Sequence, residues 1–378
     1  MQITAAVLEA SGLSAPYAQS QPLKVRQVEL AGPGSGEVLV RIVAAGLCHS
    51  DLSVIEGTRP RPLPMVLGHE AAGVVEDIGV GVSDLKVGDL VVCVFVPSCG
   101  TCEYCCEGRP ALCIPGATAN GQGTLLSGDR RLSSHDHHHD ALHHHLGISA
   151  FAQYATVARQ SLVKVDPDID PRHAALFGCA VLTGVGAALN GAAVAAGDTV
   201  AIIGLGGVGM AALLGARAAG AERIVAIDVA QHKLDWARDL GATDTFLATD
   251  SHASDAIRDA TGGGVRKSIE LAGSAAALDL AYKITRRGGT MVTAGLPPPA
   301  TTLSVPAVAL VAEEKTIKGS YLGSTVPARD IPRYIRLFRS GQLPVDRLLT
   351  AEMPLHDINA GFDRLREGSL LRGLIQMP

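Results

Sequence analysis

The chain has 378 residues, 38.9 kDa and a formal net charge of −5, with scattered lysines and arginines that form no basic stripe, which argues against nucleic acid as a partner. Its length exceeds one ordinary core, so two domains are expected, and 43 glycines with 47% hydrophobic and 3% aromatic residues favour an α/β fold rich in turns. The opening MQITAAVLEA lacks a basic region followed by a long apolar run, and no segment approaches the ~20 apolar residues of a membrane span; a cytosolic protein acting on small molecules is expected.

In chain order, the alternating run EVLVRIV predicts a strand ending in a turn at Gly46, directly before Cys48 in AAGLCHSDL. His69 follows another apolar run in PMVLGHEAAGVV, and DLVVCVFV predicts a strand in which Cys93 packs as a small hydrophobe. Next, PSCGTCEYCCEGRPALC carries Cys99, Cys102, Cys105 and Cys113 as C-x2-C-x2-C-x7-C. In a reducing compartment such a cluster reads as a metal site, and four thiolates close a tetrahedral zinc with no place for substrate. Cys106 is left over and is expected only to pack. Cys179 opens FGCAVLTGVGAA. Singly, Cys48, His69 and Cys179 would be ordinary buried residues; together they supply two thiolates and an imidazole, a ligand set of catalytic zinc with a fourth position open.

The run DTVAIIGLGGVGMAALLGARAAGAERIVAID then places a strand, a glycine-rich turn, an alanine-rich helix and a second strand in succession. Gly204, Gly206, Gly207, Val208 and Gly209 form the turn, and Asp228 ends the second strand nineteen residues after Gly209. The glycines allow a pyrophosphate to approach a helix N-terminus. The carboxylate can accept from ribose hydroxyls and would repel a 2′-phosphate, so NAD is expected over NADP.

GLCHSDL, GHEAAGVVEDIGVGVSDLKVGD, CGTCEYC, GLGGVG and the tail LREGSLLRGLI, in this order, closely resemble the zinc-dependent medium-chain alcohol dehydrogenases. The resemblance implies a Rossmann doubly wound parallel sheet inserted in a GroES-like, β-rich catalytic domain. Residues 1–180 would form the catalytic domain with a structural zinc lobe at about 97–113, residues 181–323 the Rossmann domain, and residues 324–378 the return to the catalytic domain. It also implies two zinc ions per chain: Cys48, His69 and Cys179 on the catalytic one, and the four clustered cysteines on the structural one. Glu70 matches an acid beside the metal, Asp51 the carboxylate that orients the ligand histidine, Ser50 the hydroxyl that takes the alcohol proton, and Thr183 the threonine packed on the nicotinamide. His49 and Arg372 match pyrophosphate contacts, and Asp228 and Lys233 ribose contacts. By the same resemblance Phe95, Arg59, His145 and Leu146 border the substrate channel.

The implied activity is hydride transfer between a primary or secondary alcohol and NAD. A glutathione-linked formaldehyde dehydrogenase is the alternative within the family, and a non-catalytic NAD- and zinc-binding protein the alternative outside it. RRLSSHDHHHDALHHHLGISAF, residues 130–151, holds two histidine triplets. A polar surface loop is expected there, with a third metal site as the alternative. Its length resembles the long connection of dimeric liver-type enzymes, which implies a homodimer.

Overall fold

The structure, a computed structural model, describes residues 1–135 and 140–377. Contacts divide the chain into two compact units. The first comprises Met1–Cys179, Val326–Pro332 and Leu349–Pro378, and the second Ala180–Thr325 and Arg333–Leu348.

The first unit is built mainly on antiparallel strands, with Met65–Val66 and Ala141–His144, and Leu349–Pro354 and Arg372–Gln376, paired in parallel. Gln2–Leu8, Leu23–Leu30, Leu132–Ser134, Ala141–His144 and Met65–Val66 close a small barrel. A seven-stranded sheet runs in the order Leu162–Lys164, Leu90–Cys93, Ala71–Ile78, Glu37–Gly46, Arg372–Gln376 and Leu349–Pro354, with Tyr154–Ala158 also paired to Glu37–Gly46. The alternation of Glu37–Gly46 sends Val38, Val40 and Ile42 into a core shared with Leu52, Phe151, Ile358 and Phe362. Cys93 is fully buried, and burial pushes its thiol up to about 12, so it packs as an inert small hydrophobe. The chain's last strand pairs Leu374 with Gly46, which brings Arg372 to the turn before Cys48.

The second unit is a six-stranded parallel sheet in the order Asp244–Leu247, Arg223–Asp228, Thr199–Ile203, Val265–Glu270, Thr285–Thr293 and Thr316–Gly319. Its central strands TVAII and RIVAID are nearly continuous apolar runs, as a sheet covered on both faces demands. Helices Gly207–Ala218, Gln231–Leu240, Ala253–Ala260 and Ala275–Ile284 make the crossovers. Among the described residues no single helix is long and apolar enough to cross a membrane.

The histidine-rich segment departs from expectation. His137–His139 lie outside the described residues. His135 is exposed and 2.9 Å from Glu29, but Ala141–His144 is a barrel strand whose pleat buries Leu142 and His144, and His145 is buried just beyond it. Two of the second triplet's three histidines are therefore interior and His143 is half-buried, so this part is a barrel strand and not a polar surface loop. His144 Nε2 accepts from the Arg131 backbone N–H at 3.0 Å, and burial holds this imidazole down to about 4. Below pH 6.5 an unfolded chain takes up a proton that the folded one refuses, so stability falls as the pH drops from about 6.5 towards about 4, by about 3 kcal/mol in all. His144→Gln, which keeps an acceptor, should flatten that part of a stability–pH curve from denaturant melts. An unchanged slope would exclude His144 as its source.

Candidate active site and nucleotide site

Cys48 is the N-cap of the short helix His49–Ile55, so the side chains of Cys48 and Asp51, three residues on, share one end of it. The Asp51 backbone N–H donates to the Cys48 carbonyl at 3.1 Å. His69 and Glu70 lie between strands Met65–Val66 and Ala71–Ile78. The bend before them needs Gly68: its φ is +94°, and a Cβ there would fall 2.5 Å from the Phe151 nitrogen. Cys179 sits at the break between the turn Leu176–Gly178 and helix Ala180–Gly186.

These three elements bring Cys48, His69 and Cys179 together, all buried, with ligand atoms within 4.8 Å of one another. Asp51, fully buried, places Oδ2 3.0 Å from His69 Nδ1 in a close polar contact, and neither ring nitrogen of the buried His69 makes a hydrogen bond of ordinary geometry. Phe95 stands edge-on to His69, with ring centroids 5.4 Å apart. The Arg372 guanidinium, 2% exposed, pairs with Glu70 at 2.5 Å. Ser50 is half-buried and His49 is exposed at the head of the same helix.

The electrostatics suit a cation-binding pocket. Hydrogen bonding with Cys179, acting against burial, and the positive charges of His69 and Arg372 hold the Cys48 thiol well below the usual range; Cys179 is pushed well above it by the same hydrogen bond and by burial. Two buried thiols this close share one proton. Burial opposes a charge on His69, but the Asp51 and Cys48 charges outweigh it and raise its pKa. Burial lifts Glu70 to about 7 against the pull of Arg372. A divalent cation held by Cys48, His69 and Cys179 would take the place of those protons.

The second cluster is Cys99, Cys102, Cys105 and Cys113, again within 4.8 Å. Backbone N–H groups turn onto the sulfurs: Cys99 to Cys113 Sγ at 3.2 Å, Cys102 to Cys99 Sγ at 3.3 Å and Gly116 to Cys113 Sγ at 3.4 Å. Such donors stabilise thiolates. Cys106 does not pack as expected; it is exposed, with its thiol 3.6 Å from the Thr101 carbonyl.

In the second unit the fingerprint glycines open helix Gly207–Ala218, with Gly206 as N-cap. Gly204 has φ +90°, and a Cβ on it would lie 2.6 Å from the Ala272 nitrogen. Asp228 Oδ2 accepts from the Leu205 N–H at 2.7 Å and Oδ1 from the Ala230 N–H at 3.0 Å, while Lys233 Nζ is 4.0 Å from Oδ1. Asp228 and Gly204 line a cavity of about 310 Å³ with Ala272 and Ser274. Thr183 is buried in helix Ala180–Gly186.

The alcohol dehydrogenase GroES-like domain family matches residues 34–167, and the zinc-binding dehydrogenase family matches residues 207–340. "Putative alcohol dehydrogenase D" of Mycobacterium tuberculosis is 41% identical over 99% of this chain and 100% of its own. The chain belongs to the zinc-dependent medium-chain alcohol dehydrogenases. An NDMA-dependent alcohol dehydrogenase of Amycolatopsis methanolica is 38% identical over 99% of both chains. Among solved structures, benzyl alcohol dehydrogenase from Acinetobacter calcoaceticus superposes with a TM-score of 0.92 at 32% identity over 100% of both chains. This alcohol dehydrogenase thus has the GroES-like and Rossmann-type domains of its family, the first carrying both cysteine clusters and the second the fingerprint.

Two features of the alcohol dehydrogenase were missed from sequence. The Glu70–Arg372 pair arises only because the final strand docks beside Gly46. His145 places Nδ1 3.0 Å from Asp51 Oδ1. The resemblance sets His145 at the border of the substrate channel, and no spacing in the sequence links it to Asp51.

Proposed function

We propose that this enzyme interconverts primary or secondary alcohols and the corresponding aldehydes or ketones, with NAD as hydride carrier and two zinc ions per chain. The observation that carries the reading is the convergence of Cys48, His69 and Cys179, all buried, with ligand atoms within 4.8 Å of one another. Three nitrogen and sulfur donors fit zinc with one position left for substrate, whereas the four-cysteine cluster fits a closed structural zinc. Zinc bound at the first cluster supplies Lewis acidity, which lowers the pKa of an alcohol and polarises a carbonyl.

The chain's own residues do the rest. Asp51 fixes the His69 tautomer, with the proton on Nδ1 and the lone pair on Nε2. Ser50 takes the alcohol proton, Glu70 stands beside the metal with its charge balanced by Arg372, and Thr183 packs on the nicotinamide. His49 and Arg372 contact the pyrophosphate, which the fingerprint glycines admit; Asp228 and Lys233 hold the adenosine ribose. Proximity and exclusion of water supply the remaining rate. A homodimer is supported by the sheet edge Thr316–Gly319, exposed along its length, and by Val308 and Val311 of helix Ala307–Ala312, which stand in solvent.

The coenzyme reading makes a specific prediction. Asp228→Gly removes the ribose acceptor and the repulsion of a 2′-phosphate, so the ratio of kcat/KM for NAD over NADP should fall at least tenfold, or about 1.4 kcal/mol. It also strips the Leu205 N–H of its acceptor, so NAD affinity itself should drop. An unchanged ratio would assign the preference to another group.

The test of the activity is reduction of NAD by a panel of primary, secondary, aromatic and polyol alcohols, including benzyl alcohol and the glutathione adduct of formaldehyde. Because the Amycolatopsis relative is named for NDMA, that compound is run in parallel as acceptor. Turnover of alcohols with NAD supports the reading. No turnover on any member, with a single zinc per chain, would favour a non-catalytic NAD- and zinc-binding protein.

A further inference from the structure

We propose that His145 is a positioning residue for the catalytic metal site, locking Asp51 so that its other oxygen holds the His69 ring in ligating orientation. The inference rests on the reading of Cys48, His69 and Cys179 as a zinc site. Asp51 is fully buried, and a carboxylate there must be met by donors on all sides or forfeit its solvation. Three groups approach it, the Gly68 N–H in a hydrogen bond and two imidazoles in close polar contacts. The Gly68 N–H donates to Oδ1 at 3.0 Å, His145 Nδ1 lies 3.0 Å from the same oxygen, and His69 Nδ1 lies 3.0 Å from Oδ2. With Oδ1 claimed twice, only Oδ2 remains for His69. Without His145 a single backbone hydrogen bond would hold Oδ1, leaving the carboxylate free to rotate and His69 with a less fixed direction.

The surrounding backbone is built to deliver this imidazole. His145 is 1% exposed, and its ring stands at 87° to that of His69 with centroids 5.5 Å apart. Its own N–H donates to Ser149 Oγ at 3.0 Å. The loop then clamps onto the His69 segment, with Ala150 N–H on the Gly68 carbonyl at 2.9 Å and Phe151 N–H on the Leu67 carbonyl at 3.0 Å. Within it Leu146 and Ser149 adopt left-handed φ values of +53° and +59°. For a bulky residue such as leucine that conformation is costly, and it persists where the surroundings over-determine it. The strained turn, the burial and the contact on Asp51 share one outcome, an imidazole held against the carboxylate that orients a ligand.

The test compares His145→Asn with His145→Gln in the zinc-loaded full chain. Asparagine can place an amide N–H near the position of Nδ1; glutamine keeps the polarity but carries its amide past it. Release of the first zinc to a chromophoric chelator is followed, together with the visible spectrum of enzyme in which cobalt replaces the catalytic zinc. Outer-shell partners of metal-bound histidines are worth roughly 10–100-fold in metal affinity or activity, and His145 acts one step further out. The glutamine variant should therefore release catalytic zinc about tenfold faster and show an altered cobalt spectrum, with asparagine closer to the parent on both readouts. Release rates and spectra equal to the parent in both variants overturn the proposal, as does equal acceleration in both. A parent chain holding only the four-cysteine zinc overturns it too, and that result alone also removes the reading of the active site.

Discussion

Replacing Cys48 with serine is expected to abolish alcohol turnover while leaving the fold nearly intact. The thiol is one of three donors within 4.8 Å of one another, and a hydroxyl is a poor substitute for a thiolate on zinc. Loss of activity should exceed the roughly 10–100-fold that removal of an outer-shell partner costs, because a ligand itself is gone. Stability should change little: Cys48 caps helix His49–Ile55 through its backbone, with no side-chain cap bond, and serine is of similar size. Zinc per chain should fall from two to one, with a melting temperature within a few degrees of the parent. Turnover within tenfold of the parent, or two zinc ions retained, would remove Cys48 from the ligand set.

Cys102→Ser should do the reverse. The lobe around it has helix Glu103–Cys106 of four residues and the single turn Pro110–Leu112, each too short to persist alone, and Glu103–Cys106 buries no residue. Its organisation comes from sulfurs, of which Cys99, Cys102 and Cys105 are half-buried. Zinc binding to such a cluster is folding free energy, about 10–16 kcal/mol in isolated zinc-finger peptides. Only part of that reaches the whole unit when a lobe opens locally. A loss of roughly 3–5 kcal/mol, hence a melting temperature lower by about 10 °C, is expected, with turnover per folded molecule largely kept. Limited proteolysis should cut first within residues 97–123. Equal loss of melting temperature in Cys48→Ser and Cys102→Ser would contradict the division of roles.

Much of this was legible in sequence because the decisive residues are close together in it. The four cysteines fall in one short run, and the fingerprint, its helix and Asp228 form one βαβ unit, so spacing alone carries the chemistry. Cys48, His69 and Cys179 are far apart, and there the set of residue types and the family resemblance did the work. What spacing could not reveal was who partners whom across the fold. Arg372 reaches Glu70 through the pairing of Leu374 with Gly46, and nothing near Arg372 in sequence announces an acid. The second histidine triplet looked like a solvated tract because composition is blind to the pleat; period-two alternation with Leu142 turns His144 inward. Cys106 erred the other way, since a cysteine beside four ligands invites burial that the short helix does not offer.

The open metal site is the centre of the account, and its most direct test is to count zinc per chain while turnover is followed during stepwise chelation and re-addition. The account predicts two zinc ions in the parent, turnover that disappears in step with loss of the one held by Cys48, His69 and Cys179, and recovery when that one returns. Full turnover in chains that keep only the Cys99–Cys113 zinc would contradict it.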